Sequence, residues 1–482
     1  MSARLEFETV IGLEVHVQLA TRTKLFSSAD VSYGDAPNHH VTEVCLALPG
    51  ALPVLNGRAV ELAVRAALAA GCKVHAHSVF ARKHYFYPDL PKAYQISQYE
   101  EPLATGGWLE IDAADGPRRI GITRIHMEED AGKSLHEPGD PETQVDLNRA
   151  GVPLVEIVSE PELRSAEEAG AYLRAWRRLL RWVEASDADM EKGQLRCDAN
   201  VSLRPRGETR LGTRTEIKNL NSFRFVEAAI RAEVERQAKL LRAGGQVQQA
   251  TLGFDPERGR LFVMRVKENA DDYRYFPDPD LVPLILSEER IEAIRKALPE
   301  LPRAREQRLQ QEHALPAEDA RTLASSRALA DWTEAAARAH GRAQSVANWV
   351  LRDVLAALRE RDAEPEAIRL APEGFAALLR LVDAGRLTAR SARSLLPELL
   401  FSGGDPEALV RERGLEAVSD AGALERAVDE ALAASPKAVE AFAAGDAKSL
   451  NFLMGQVMRR TGGKADPARV RELLSEKLGG RR

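Results

Sequence analysis

The sequence predicts an α+β fold in its first part and an all-helical architecture in its second. Two observations carry that expectation. Up to about residue 290, runs of alternating apolar and polar residues mix with capped helices and Pro/Gly turns. Beyond it the chain is rich in Ala, Leu, Arg and Glu at helical spacing, and no strand-like alternation of any length survives. A third observation sets the scale. The chain has 482 residues, 44% hydrophobic and 29% charged, which suits about three domains of ~150 residues and excludes a disordered or fibrous chain. Ser402-Gly403-Gly404-Asp405-Pro406 is the best linker in the helical half. The expected domains are therefore 1–290, 291–401 and 402–482.

Composition narrows the setting. No window of about 18 uncharged apolar residues occurs, so no membrane helix is expected. Arg4, Glu6, Glu8 and Glu14 leave no room for a signal-peptide core, and a cytoplasmic location is expected. Three cysteines, Cys45, Cys72 and Cys197, cannot form a disulfide framework. The net charge of -6 argues against a general nucleic-acid binder. A local patch remains: residues 441–482 hold nine Lys/Arg against four Asp/Glu. That stretch is either a solvated helix surface or an RNA contact.

Along the chain, Leu13–Leu19 alternates, with Leu13, Val15, Val17 and Leu19 on one face and Glu14, His16 and Gln18 on the other. Glu14 and His16 then lie about 7 Å apart on one strand face. Residues 56–71 read as a helix. His126 and Glu128 share a face in Ile122–Asp130, and Glu156 stands between apolar neighbours in Leu154–Val158. Ser165-Ala-Glu-Glu168 is a capping box ahead of Leu173, Trp176, Leu180 and Val183. In Gln194–Arg204, Leu195, Cys197, Ala199 and Val201 form the apolar face, while Arg196, Asp198, Asn200 and Ser202 form the polar one. Arg214, Glu216 and Lys218 share a face in the next strand. Ser222 caps a helix with the stripe Val226, Ile230, Val234 and Leu241, ending at Gly244-Gly245.

Five strands with mixed acidic and basic faces imply a polar concavity if those faces converge. Carboxylate oxygens suit Mg²⁺ shared with substrate phosphates, and Arg and Lys suit phosphate oxygens. A nucleotide-phosphate site built on a sheet is the expectation. His16 and His126 leave a transition metal open, although no tight His/Cys cluster supports one. Gly132-Lys133-Ser134 ends like a phosphate-binding loop, but Met127 stands where that loop needs glycine. No Gly-rich serine nucleophile or Cys–His pair for amide hydrolysis is evident, and Cys197 reads as core.

Longer motifs then accumulate. They are Val10-Ile-Gly-Leu-Glu-Val-His-Val-Gln-Leu19, Tyr85-Phe-Tyr-Pro-Asp-Leu-Pro-Lys-Ala-Tyr-Gln-Ile-Ser-Gln98, His126-Met-Glu-Glu-Asp-Ala-Gly-Lys-Ser134, Val145-Asp-Leu-Asn-Arg149, Val155-Glu-Ile-Val-Ser-Glu-Pro-Glu162, Leu195-Arg-Cys-Asp-Ala-Asn-Val-Ser-Leu-Arg-Pro205, Glu216-Ile-Lys-Asn-Leu-Asn-Ser-Phe223 and Asp271-Asp-Tyr-Arg-Tyr-Phe-Pro277. Together they resemble the B subunit of the bacterial and organellar aspartyl/glutamyl-tRNA(Asn/Gln) amidotransferases, over essentially the whole chain. The resemblance implies a cradle-like catalytic domain similar to the glutamine synthetase and guanido kinase fold. It also implies a helical domain and a small helical tail that meets the tRNA elbow. The implied reaction uses ATP to phosphorylate the side-chain carboxylate of Glu on tRNA(Gln) or of Asp on tRNA(Asn), and ammonia then displaces phosphate. The implied partners, in a heterotrimer, are the glutaminase (amidase) subunit, which supplies the ammonia, and a third, small subunit.

The resemblance also implies roles. Metal ligands fall at Glu14, His16, Glu128, Glu129 and Glu156. Glu14, Glu128, Glu156 and Lys218 fall to catalysis, Arg196 and Lys218 to phosphates, and Asp198 and Asn200 to metal or water. Lys83 and Lys92 flank an aromatic, proline-rich segment that is either part of the nucleotide or acceptor-end site or a plain loop. Some family members carry two thiolate pairs that bind zinc early in the cradle. Here Ser27, Ala29 and Thr42 leave only Cys45, with His39 and His40 nearby, so no zinc is expected. An archaeal kinase subunit with a synthetase-like insertion is the enzymatic rival, and the run after Pro283 has no room for the insertion. A non-catalytic tRNA-binding scaffold is the other rival, and the intact acidic strand faces argue against it.

Overall fold

Alternation in the opening segment becomes a long strand, Phe7–Gln18, whose Leu13, Val15 and Val17 are buried while Glu14, His16 and Gln18 are only half-buried. In the computed structural model, which describes residues 6–136, 142–265, 273–416, 421–444, 446, 448–462 and 464–479, this strand lies inside a ten-stranded sheet. Leu195–Pro205 pairs on one side of it and Pro153–Ser159 on the other, both antiparallel. Outward from Leu195–Pro205 come Thr215–Leu220, then Thr251–Asp255 in parallel, then Arg260–Arg265. On the other side Gly116–Glu129 follows Pro153–Ser159.

Alternation assigns the two faces. The apolar face packs into one core with three helices, Gly57–Ala69, Ala166–Trp182 and Phe223–Arg242. The starts of these helices follow the sequence signals. Asn56 accepts from the Arg58 and Ala59 amides, Ser165 from Glu168, and Ser222 from Phe225. The expected stripe Leu173, Trp176, Leu180 and Val183 is fully buried. A small three-stranded sheet, with Ala81–His84 between Tyr94–Ser97 and Phe276–Pro277, supplies further residues to the polar side.

The chain divides into two compact units, Met1–Leu301 and Pro302–Arg482. The composition changes near 290, one helix earlier than the packing does. Ile294 is part of the first core, with Ile291, Leu298 and Leu301 packed against it, so the helix Glu288–Lys296 stays with the sheet. In the second unit all described elements are helical. One apolar cluster runs from Leu309 to Val410 and a second from Leu424 to Leu478. The second cluster includes the helices Lys448–Arg460 and Pro467–Gly479, which carry the basic tail. Two of those cations are already paired across helices: Arg460 with Glu430 at 3.2 Å and Lys477 with Asp429 at 2.6 Å. Arg481 and Arg482 lie outside the described residues. At Gly455, in the first of these two helices, an added Cβ would meet nothing within 4 Å among the described residues. No helix among the described residues is long and apolar enough to cross a membrane.

Candidate active site

Strand register gathers residues from distant parts of the sequence into two polar rows. His16 lies opposite Arg196 on one neighbour and Glu156 on the other, and Glu156 in turn faces His126. Two residues along the opening strand, Glu14 lies opposite Asp198, while Asn200 faces Glu216. The rows line a cavity of about 320 Å³ whose wall includes Glu14, His16, Glu156, Asp198, Lys83 and Lys218.

The first row closes into a cluster of His16, Glu128 and Glu156. His16 Nε2 stands 3.6 Å from Glu128 Oε1 and 3.5 Å from Glu156 Oε2. His126 Nε2 approaches the same Glu156 oxygen at 3.3 Å. Burial alone would push the His16 imidazole down, but the hydrogen bond and charge of Glu156, with the charge of Glu128, raise its pKa to about 9. Burial alone would lift the Glu156 carboxyl, yet His126 and His16 hold it well below the usual carboxylate range. The buried Nδ1 atom of His126 has no hydrogen-bond partner among the described residues.

The second row closes into Glu14, Asp198 and Glu216. Lys218 Nζ spans Asp198 Oδ2 at 3.1 Å and Glu216 Oε1 at 3.0 Å. Asn200 donates to Glu14 Oε1 at 2.9 Å, and Thr251 to Glu216 Oε2 at 3.2 Å. Burial raises the Glu14 pKa, and the negative charges of Glu156, Glu216 and Asp198 raise it further. This corner therefore crowds more anionic charge than one lysine neutralises. The Lys218 amine is held above its ordinary range because Asp198 and Glu216 outweigh its burial. Lys83 enters from the small sheet with Nζ 4.9 Å from the Tyr273 ring centre. Its amine is also raised, since Tyr275, Glu128 and Glu156 outweigh burial. Tyr275 stacks on Tyr99 at 4.1 Å, and both line the cavity.

Not every residue expected here arrives. Glu14, His16, Glu128, Glu156, Asp198, Asn200, Lys218 and Lys83 converge on the cavity or its two clusters. Glu129 does not. As the next residue after Glu128 it points to the opposite face, where it pairs with Lys92 and accepts from the Ile96 amide at 2.9 Å. Lys92 thus serves that buried pair, away from the cavity. Arg196 is held by Asp130 at 2.8 Å, and that ion pair, outweighing burial, raises the Arg196 pKa. Glu216, Tyr99, Tyr273 and Tyr275 were not singled out as site residues by sequence. For Glu216 the face shared with Lys218 was the available signal. Asp271 and Asp272, from the last motif, lie outside the described residues.

Known proteins share this sequence along its whole length. The family model described as the GatB/GatE catalytic domain matches residues 9–292, and one described as the GatB domain matches residues 331–478. The chain is 52% identical over 479 residues to a protein of Anaeromyxobacter sp. (strain Fw109-5), covering 98% of this chain and 99% of that one. It is 50% identical over 475 residues to a protein of Persephonella marina, covering 98% and 100%. It is 48% identical over 476 residues to a protein of Carboxydothermus hydrogenoformans, covering 98% and 99%. All three are named as the B subunit of an aspartyl/glutamyl-tRNA(Asn/Gln) amidotransferase. With both family models matched and full-length relatives at this identity, the chain belongs to the B-subunit family of the aspartyl/glutamyl-tRNA(Asn/Gln) amidotransferases, a ligase-type amidotransferase component.

Proposed function

We propose that this chain activates the side-chain carboxylate of Glu on tRNA(Gln), of Asp on tRNA(Asn), or of both, by ATP-dependent phosphorylation, and then amidates it. One observation carries the reading: the clusters His16–Glu128–Glu156 and Glu14–Asp198–Glu216 meet at one cavity, whose wall also carries Lys83 and Lys218. A carboxylate is a poor acyl donor, and phosphorylation turns one of its oxygens into a good leaving group. Such a transfer needs positioning and charge neutralisation more than covalent help from the protein.

The donor set fits Mg²⁺. Glu14, Asp198 and Glu216 are hard oxygen donors within 4.8 Å of one another, and their mutual repulsion is what a divalent cation relieves. His16, Glu128 and Glu156 form a second group of donors. When bound, the ion supplies charge neutralisation to the ATP phosphates. The residues of the chain do the rest. Lys218 and Lys83 bring positive charge to the transferring phosphoryl group from two sides. Glu156 holds His16 and His126 in place, and Asn200 fixes Glu14. Ammonia then attacks the acyl phosphate, expelling phosphate and leaving the amide. That ammonia comes from the glutaminase subunit of a cytoplasmic heterotrimer completed by a small third subunit. The sheet with one polar concave face supports a cradle similar to the glutamine synthetase and guanido kinase fold. The two-cluster helical unit supports a helical domain followed by a tail that meets tRNA. No zinc belongs to this reading.

An isotope experiment tests the chemistry. Glu-tRNA(Gln) and Asp-tRNA(Asn) are charged with amino acids carrying heavy oxygen in the side-chain carboxylate, and the reconstituted trimer is supplied with ATP and glutamine. Activation by phosphorylation transfers one heavy oxygen to inorganic phosphate for each amide formed. Unlabelled phosphate alongside amide product excludes an acyl phosphate.

A further inference from the structure

Away from the cavity, a second group of reactive side chains has no role in the chemistry above. Lys24 is fully buried, and its amine reaches three acceptors: His40 O at 2.5 Å, Leu147 O at 3.1 Å and Cys45 Sγ at 3.4 Å. The Ser27 and Thr42 hydroxyls lie 3.3 and 3.5 Å from the same sulfur. Ser27 Oγ already accepts from the Ala29 amide at 3.2 Å, so its own proton is free to point at Cys45. An ammonium and two hydroxyls around one sulfur is the environment of a thiolate. Cys45 retains 8% exposure and lines an opening of about 20 Å³ together with Lys24 and Ser27. That volume is about what one small polar molecule needs. The other two thiols are controls within the same chain. Cys72 and Cys197 lie in the apolar core, where burial pushes the Cys72 thiol up to about 12 and Cys197 well above its ordinary value. Cys45 is lowered instead, its burial outweighed by Ser27, Thr42 and Lys24. Burial also lowers the Lys24 amine, which favours its nucleophilic form.

We propose that Cys45 and Lys24 form an oxidation site that closes on hydrogen peroxide into a sulfur–nitrogen cross-link. The thiolate attacks one peroxide oxygen, breaking the O–O bond, and becomes a sulfenic acid. The neighbouring amine then attacks sulfur, the S–N bond forms and the S–O bond breaks. From ammonium and thiolate, one peroxide yields the sulfenamide and two waters. Sulfur loses two electrons, the two peroxide oxygens gain them, and the protein loses two hydrogens. A thiol such as dithiothreitol reverses the bond by attacking sulfur and releasing the amine. The cross-link ties the segment after the opening strand to the loop carrying His40 and Cys45, which Lys24 otherwise joins only by hydrogen bonds.

Peptide mapping of the full chain after brief exposure to hydrogen peroxide tests this. The expected product is one peptide joining the Lys24 and Cys45 segments, lighter by two hydrogens than its parts, uncut by trypsin at Lys24 and separated by dithiothreitol. Cys72 and Cys197 remain free thiols at the same dose. In Lys24→Arg, which keeps the cation but lacks the amine, dimedone traps a sulfenic acid on Cys45. Should that variant fail to fold, the wild-type map decides alone. Recovery of Cys45 as a free thiol or as sulfinic acid, with normal cleavage at Lys24, overturns the proposal. Equal reactivity of all three cysteines overturns it as well.

Discussion

Replacing Glu156 by glutamine removes one charge and changes almost nothing in volume. Glu156 Oε2 is shared by His16 at 3.5 Å and His126 at 3.3 Å, and its side chain is only 13% exposed. A neutral amide cannot replace the carboxylate charge beside the His16 imidazole, so His16 is left with Glu128 at 3.6 Å as its acidic partner in the cluster. Loss of one preorganised electrostatic group in a water-poor site typically costs about 10²–10³-fold in turnover, roughly 3–4 kcal/mol. The substitution keeps the side-chain volume, so the fold survives, as circular dichroism would verify. The assay is amide formation on misacylated tRNA by the reconstituted trimer, with glutamine hydrolysis measured in parallel without tRNA. Amidation should fall by about 10²–10³-fold while tRNA-independent glutamine hydrolysis is retained. Near-normal Gln-tRNA or Asn-tRNA formation would refute the assignment of this cluster to the reaction.

Further expectations follow from the same structure. Purified protein should contain no stoichiometric zinc, because the Lys24 amine, Ser27 and Thr42 surround the single thiol Cys45; one zinc per chain by elemental analysis would contradict this. Deleting residues 417–482 should raise the KM for misacylated tRNA and leave ATP binding nearly unchanged. The cut falls after Val410, which belongs to the preceding apolar cluster, so that cluster is kept intact. Reversing Arg459, Arg460 and Lys464 to Glu should act in the same direction, and binding by the intact protein should weaken with salt as phosphate contacts release counterions. Equal filter-binding affinity of intact and truncated protein across a salt series would count against a tRNA-binding tail. Trp176→Ala, at a fully buried position in the sheet–helix core, should cost about 3–5 kcal/mol in denaturant unfolding. Ser165→Ala should cost about 1 kcal/mol through the lost cap.

The local elements were readable because their causes are local. Alternation at Leu13–Leu19 and Leu195–Arg204 reflects one buried and one polar face, and Asn56, Ser165 and Ser222 are the caps their side chains suggest. What brings Glu14 to Asp198, or Glu156 to both His16 and His126, is strand register between distant segments, which no single segment encodes. Glu216 was visible on a polar face beside Lys218, but its opposition to Asn200 is a tertiary fact. Glu129 is the instructive contrast. Adjacent carboxylates on one strand cannot share a face, so alternation alone separates it from Glu128, and Lys92 with the Ile96 amide holds it there. Arg196 does stand on the polar side, yet Asp130 comes from the end of a different strand and takes up its charge. The helix at 288–296 has the composition of the second unit and the packing of the first, because Ile294 reaches the sheet core.

On the proposed function, the two carboxylate-bearing clusters and their lysines serve an ATP-dependent activation of a tRNA-borne carboxylate. The most direct measurement is ATP cleavage by the reconstituted trimer, with ammonia supplied, in the presence of Glu-tRNA(Gln), Asp-tRNA(Asn) or the correctly charged tRNAs. ADP and phosphate should form in step with Gln-tRNA or Asn-tRNA, stimulated only by a misacylated tRNA and lost in Glu156→Gln and Lys218→Met. Amide formation without ATP, or ATP cleavage indifferent to the misacylated tRNA and to both substitutions, would contradict it.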